Sequence, residues 1–159
     1  MWILQLGGLE ASVERAVTEF LLWSLTRYFE VIGPGPLRTF VVLDEAHKLA
    51  FGPGSPVEKI LREGRKFGLG VILASQQPED FNSVAFANTS TKIVFQIADQ
   101  RGRVARQLQR KVKNGHGYEF IANAISTLPR GSAYVVTSNV GRMTRMFSFD
   151  ESGDNRTTE

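Results

Sequence analysis

Two uninterrupted apolar runs, Phe40–Leu43 and Val71–Ala74, stand out in the pattern along the chain. Short runs of this kind, rich in β-branched residues, suit strands buried on both faces of a parallel sheet. Between them, Gly52-Pro53-Gly54-Ser55-Pro56 leads into a helix over 57–67, with Ser55 as its cap and Pro56 in its first turn. Strand, helix and strand make a βαβ unit with a right-handed crossover. Upstream, Trp2–Leu6 reads as a strand closed by Gly7-Gly8, and Ser12 caps a helix running to Phe29. Val13, Ala16, Val17, Phe20, Leu21 and Tyr28 recur there at helical spacing, opposite Glu14, Arg15, Thr18 and Arg27. Leu22, Trp23 and Leu25 widen that face, which predicts contact with more than one neighbour. Gly33-Pro34-Gly35-Pro36 ends the helix. Downstream, the pattern predicts a strand over 92–97, a basic helix over 101–113, a break at Gly115–Gly117 and a short helix over 118–125. It closes with a strand pair, 133–137 and 143–149, around Asn139 and Gly141. No internal repeat is present beyond the two Gly-Pro-Gly loops.

Length and composition narrow the class. A chain of 159 residues predicts one domain over 1–150, and the polar segment 151–159, ESGDNRTTE, reads as a disordered tail. The apolar fraction of 42% and charged fraction of 22% are those of a globular protein. No run reaches the roughly 18 apolar residues of a membrane span. The leading MWILQLGG lacks the basic region of a signal peptide, and a cytoplasmic location is expected. The absence of cysteine excludes disulfides and thiolate metal sites, and two separated histidines argue against zinc. The net charge of +3 is uneven: residues 1–50 carry −2, residues 51–150 carry +7 and the last nine carry −2. A basic central region is compatible with a polyanionic partner, nucleotide or nucleic acid.

The candidate chemistry begins where the first run ends. Asp44 and Glu45 follow it directly, in the manner of a Walker B element. Open α/β sheets bind ligands beyond the carboxyl ends of their strands. There the first acid can hold a water-coordinated Mg²⁺ and the second can polarise the water attacking a γ-phosphate. The plainer alternative is an acid pair capping a helix begun by Ala46-His47-Lys48. The second run ends in Ser75-Gln76-Gln77-Pro78, so its polar residues emerge at the same sheet edge. An amide at that point can donate to a γ-phosphate oxygen and accept from the attacking water, or it can satisfy backbone at a strand end. No G-x-x-x-x-G-K-[ST] cradle accompanies these elements.

Four pieces in order, VVLDEAHKLA, REGRKFGLGVILASQQPEDF, NTSTKIVFQIADQRGR and LPRGSAYV, resemble the C-terminal half of an ATPase core of the HerA–FtsK superfamily. They cover about 40–136, and REGRKFG before the sensor strand is closest to the HerA branch. The resemblance implies an α/β, three-layer, mostly parallel sheet with flanking helices, a partial RecA-like P-loop NTPase core. It implies Asp44 for the Mg²⁺ shell, Glu45 as catalytic base and Gln76 as polar sensor, with ATP as substrate. It further implies an arginine, Arg62 or Arg65, presented to a neighbouring subunit's nucleotide, Arg65 being favoured. Such a finger is typically worth about 10³–10⁵ in rate in GTPases. Relatives often carry Arg after the sensor glutamine, where this chain has Gln77. The implied assembly is a homo-oligomer, a hexameric ring when complete, that moves DNA without sequence preference.

The basic helix has two readings. Val104, Leu108 and Val112 form one stripe and Arg103, Arg106, Arg110 and Lys113 face elsewhere, as in a solvated amphipathic helix. The alternatives are an inter-subunit phosphate contact by Arg101 or Arg103, or a salt-dependent DNA-backbone surface. Glu58–Arg62 and Lys59–Glu63 are i,i+4 pairs that would otherwise account for the charges of the intervening helix. His47 reads as a helix-start residue and His116 as part of a glycine-flanked loop. The chain begins almost inside a strand, so a start cut into a larger core is expected, together with negligible ATPase activity alone. A non-enzymatic module that keeps the fold and pairs with another subunit is the alternative. A DEAH-box helicase, suggested by Asp44-Glu45-Ala46-His47, lacks its Ser-Ala-Thr element, and Gln100-Arg101-Gly102-Arg103 follows too soon for a second domain.

Overall fold

The computed structural model describes residues 1, 3–76, 81, 83–98, 102–113 and 115–146. Gln77, Arg101 and the tail 151–159 therefore lie outside the described residues, as does the end of the second late strand. The chain groups into two compact units, Met1–Asn88 and Thr89–Glu159.

The first unit is built on the βαβ arrangement. Strands β1 (Thr39–Leu43) and β2 (Leu69–Leu73) pair in parallel, from Thr39 opposite Leu69 to Leu43 opposite Leu73. Helix α2 (Pro56–Glu63) is the crossover, extended by a 3₁₀ turn over Gly64–Phe67. Ser55 is its cap, as expected: its hydroxyl accepts from the Glu58 N–H at 3.2 Å, while the Glu58 carboxylate reaches back to the Gly54 N–H at 2.8 Å. Helix α1 (Ala11–Ile32) precedes β1, and α3 (Ser83–Asn88) closes the unit. Val41, Leu43, Val71 and Leu73 turn inward to meet Leu22, Phe29, Val57 and Ile60. The opposite face of the strand pair carries Phe40, Val42 and Ile72, all exposed.

Three local expectations are corrected here. The N-terminal run forms no strand over residues 3–6, where Ile3 and Leu4 are exposed. Ser12 does not cap α1; Glu10 occupies that position and Ser12 sits inside the first turn, donating to the Glu10 carboxylate. The packed face of α1 is Leu22–Thr26–Phe29, not the Phe20–Tyr28 stripe, and Phe20, Tyr28 and Val31 are exposed. Both faces have helical spacing, so periodicity alone does not choose between them. The contact with α2 does: Lys59 pairs with Glu30 at 2.5 Å and lies over the Trp23 ring. That pairing also replaces the expected Lys59–Glu63 contact.

The turn that delivers the chain into β2 is fastened by backbone. Gly35 N–H donates to the Lys66 carbonyl at 3.1 Å and Arg38 N–H to that of Gly68 at 2.7 Å. The Arg38 guanidinium donates to the Phe67 and Gly33 carbonyls. Gly68 has φ +76°, and a Cβ there would lie 2.0 Å from the Pro36 carbonyl oxygen. Only glycine fits both the backbone and the space.

The second unit holds a three-stranded antiparallel sheet, β3 (Thr91–Val94), β4 (Ser132–Thr137) and β5 (Val140–Arg145), in the order β3-β4-β5. Ser138 and Asn139, both at positive φ, form the two-residue hairpin turn. The late strand pair is thus present, with β5 starting three residues earlier than the pattern predicts. Helix α4 (Arg103–Gln109) buries Val104, Ala105 and Leu108 and packs on α5 (Tyr118–Thr127). Arg103, Arg106 and Arg110 lie on its exposed side, with Arg106 over the Tyr118 ring. His116 Nδ1 meets the hydroxyl of the buried Tyr134 at 2.8 Å and its ring packs on Phe120. Burial raises the Tyr134 pKa above its ordinary value of 10. No helix among the described residues is long and apolar enough to cross a membrane.

Candidate functional site

Parallel pairing brings the ends of β1 and β2 to one sheet edge, and backbone bonds carry the pairing past them. Ala74 N–H donates to the Leu43 carbonyl at 2.9 Å, and Ala46 N–H donates to the Ala74 carbonyl at 2.8 Å. Between these two bonds the chain must reverse, and Glu45 takes the left-handed region at φ 48°, ψ 44°. A residue with a Cβ pays about 1–2 kcal/mol for that conformation. A short 3₁₀ turn, Ala46–Lys48, follows, tied to α1 by an ion pair from Lys48 to Glu14 at 3.2 Å.

The side chains at this edge engage one another. Gln76 Nε2 donates to Glu45 Oε1 at 2.7 Å, joining the end of β2 to the end of β1. The other carboxylate oxygen, Oε2, lies 3.1 Å from His47 Nδ1. Ser75 Oγ stands 3.4 Å from the same ring nitrogen. Asp44 is exposed, and its Oδ1 accepts the Glu45 N–H at 2.9 Å. The sequence pattern places His47 at a helix start and gives no sign of its contact with Glu45. The signal was the spacing of two residues within one tight turn, which no helix or strand period reports.

The arginines are elsewhere. Gly64–Phe67 leads into the beginning of β2, whereas Gln76 follows its end. Five strand residues, at about 3.3 Å each, separate the arginine turn from the acid pair. Arg62 is held along its own helix by Glu58, Nε to Oε1 at 2.9 Å, so that part of the i,i+4 reading is realised. Arg65 is exposed and has no side-chain partner among the described residues. Arg103 belongs to the second unit, at the first residue of α4. Among the described residues no group of three or more His, Cys, Asp or Glu side chains is arranged to hold a metal by itself.

No protein-family model matches the chain. The DNA double-strand break repair helicase HerA of Sulfurisphaera tokodaii is 29% identical over 116 residues, 70% of this chain and 22% of that protein. The genome packaging NTPase B204 of Sulfolobus turreted icosahedral virus 2, solved with AMPPCP, superposes with a TM-score of 0.54 at 18% identity. That match covers 69% of this chain and 53% of the other. The chain is thus similar in sequence to HerA helicases and shares its fold with a packaging NTPase. The bacterial conjugative coupling protein TrwBΔN70 shares the fold at a TM-score of 0.56 and 15% identity, over 80% of this chain and 36% of its own. Within the HerA–FtsK likeness the fold is that of a P-loop NTPase: mixed α/β, with a parallel strand pair and flanking helices. The chain spans between 13% and 22% of the length of the curated relatives it matches first.

Proposed function

We propose that this chain supplies the hydrolytic edge of a HerA-like ATPase core that couples ATP hydrolysis to movement along DNA. The observation that supports it most is the Gln76–Glu45 hydrogen bond at 2.7 Å, which links the sensor position to the base position across two parallel strands. In this reading Glu45 takes the proton of the attacking water and Gln76 orients that water against the γ-phosphate. Asp44 suits the shell of a Mg²⁺ ion through water: it is an exposed carboxylate at a strand end, with one oxygen committed to backbone. The ion, when bound, neutralises charge on the phosphate oxygens.

Arg65 is the arginine finger of this reading, acting on the nucleotide of a neighbouring subunit in a homo-oligomeric, hexameric ring. It is unpaired among the described residues and lies at the opposite edge from the acid pair, as a residue serving another molecule's site requires. Arg62 is the weaker candidate because Glu58 holds it, and Arg101 or Arg103 would add phosphate contacts between subunits. Phosphate binding falls to a P-loop that this sequence does not contain. The chain alone therefore shows negligible hydrolysis, and activity requires a polypeptide bearing that loop. Phosphate release by the chain alone and with such a partner, together with the mass of the mixture, tests this. Robust hydrolysis by the isolated chain contradicts it.

One observation favours a second role beside the first. Phe40, Val42 and Ile72 are 56%, 63% and 49% exposed on one face of a parallel pair, where strands of this fold class are normally covered. We infer that this face is an interface with the complementary part of the core. A chain that stays monomeric when mixed with a P-loop-bearing partner would remove that role.

A further inference from the structure

We propose that His47 is a positioning residue for Glu45, locking the carboxylate from the side opposite Gln76. The inference rests on Glu45 being the base, and it concerns how that base is held. The turn carrying His47 has little freedom: Ala46 is fully buried, and its N–H is fixed to β2 through the Ala74 carbonyl at 2.8 Å. Lys48 N–H closes the turn on the Glu45 carbonyl at 3.0 Å. The His47 and Glu45 side chains are both largely shielded, at 27% and 33% exposure. Nδ1 lies 3.1 Å from Glu45 Oε2, within ion-pair distance, and a proton on Nδ1 makes that approach attractive, since a carboxylate only accepts.

Ser75 Oγ approaches that same nitrogen, at 3.4 Å. A serine–histidine–carboxylate relay uses opposite ring nitrogens, so these three residues do not form one. The geometry instead sets His47 against one Glu45 oxygen from its own turn, while Gln76 donates to the other from the end of β2. A carboxylate on a left-handed residue held by one bond can swing about its side-chain torsions; a contact on its other oxygen restricts that swing. Misplacement of a reacting group by about 1 Å can cost about 10²-fold in rate.

The test is long-range ¹H–¹⁵N NMR of the full chain above the titration range of histidine. The expected result is a neutral His47 carrying its proton on Nδ1, fixed by its carboxylate partner. Glu45→Ala, and Glu45→Asn, which is at ease in the left-handed region but one methylene shorter, should both release His47 from that tautomer and leave His116 unchanged. His47→Leu should shift the Gln76 side-chain amide toward its free position, because the carboxylate it donates to is no longer fixed; His47→Asn should restore part of the shift. An Nε2–H tautomer in the unsubstituted chain, or a Gln76 amide blind to His47→Leu, overturns the proposal. These signals need no hydrolysis. Failure of the catalytic reading is recognised separately, by turnover of a P-loop-completed enzyme that survives Glu45→Gln.

Discussion

The two edges of the β1–β2 pair are organised in opposite ways. At the carboxyl edge, side chains from different elements bond one another, with Gln76 and His47 on the two oxygens of Glu45. At the amino edge, backbone does the fastening: the Gly35, Arg38 and Gly68 bonds fix the turn, while the Arg65 side chain is left to solvent. One edge is preorganised toward its own strand ends, and the other presents a cation from a rigid support. A ring ATPase needs both, because each site draws its base from one subunit and its finger from the next. That division is what the proposed function predicts for a single chain.

The contrast can be broken from either side. The largest effect is expected from Arg65→Ala: in an enzyme completed with a P-loop, turnover should fall by about 10³–10⁵ while thermal stability stays level. The same loss from Arg62→Ala, with Arg65→Ala silent, would reverse the assignment. Next is Gly68→Ala, whose Cβ meets the Pro36 carbonyl oxygen at 2.0 Å in a left-handed backbone. Destabilisation by about 3 kcal/mol or more is expected in urea unfolding, and a change below about 1 kcal/mol would deny the amino-edge clasp its role. Ser55→Ala removes the cap of the crossover helix and should cost about 1 kcal/mol in the same assay. Arg62→Ala loses one exposed i,i+4 pair and should change stability by at most about 0.5 kcal/mol.

The pH dependence sharpens the picture at the crossover helix itself. Lys59 holds the Glu30 carboxyl below its ordinary 4.5, against the opposing effect of burial and with lesser help from Arg27. A depressed carboxyl contributes stability above its unfolded value and loses it as pH falls through the folded one. Glu30→Gln should therefore lower stability near neutrality and flatten the fall of the curve below about pH 4.5, so that the two proteins converge in acid. Parallel curves for the two proteins through the acid range would show that the Lys59–Glu30 pair does not act in solution.

Much of this was legible in the sequence because a few patterns admit one physical solution. Phe40–Leu43 and Val71–Ala74 are short, uniformly apolar and joined by a helix, which specifies parallel strands with their polar ends at one edge. The expected burial of both faces is met on one face only, since Phe40, Val42 and Ile72 are exposed. Ser55-Pro56 before a helical pattern specifies a cap. The remainder depends on what elements meet, which a single period does not encode. Helix α1 has two apolar stripes, and only the α2 contact selects Leu22–Thr26–Phe29. Lys59 had an acid one turn along its helix and chose one on a neighbouring helix instead. His47 belongs to a turn whose conformation is set by the reversal at Glu45, and no neighbouring spacing announces that.

Glu45, held by Gln76, is proposed as the base of an ATPase site. Steady-state phosphate release by the P-loop-completed enzyme, compared with its Glu45→Gln form, tests it most directly. A fall of about 10²–10⁴ in kcat with nucleotide affinity retained is expected; equal turnover by the two proteins would remove Glu45 from that role.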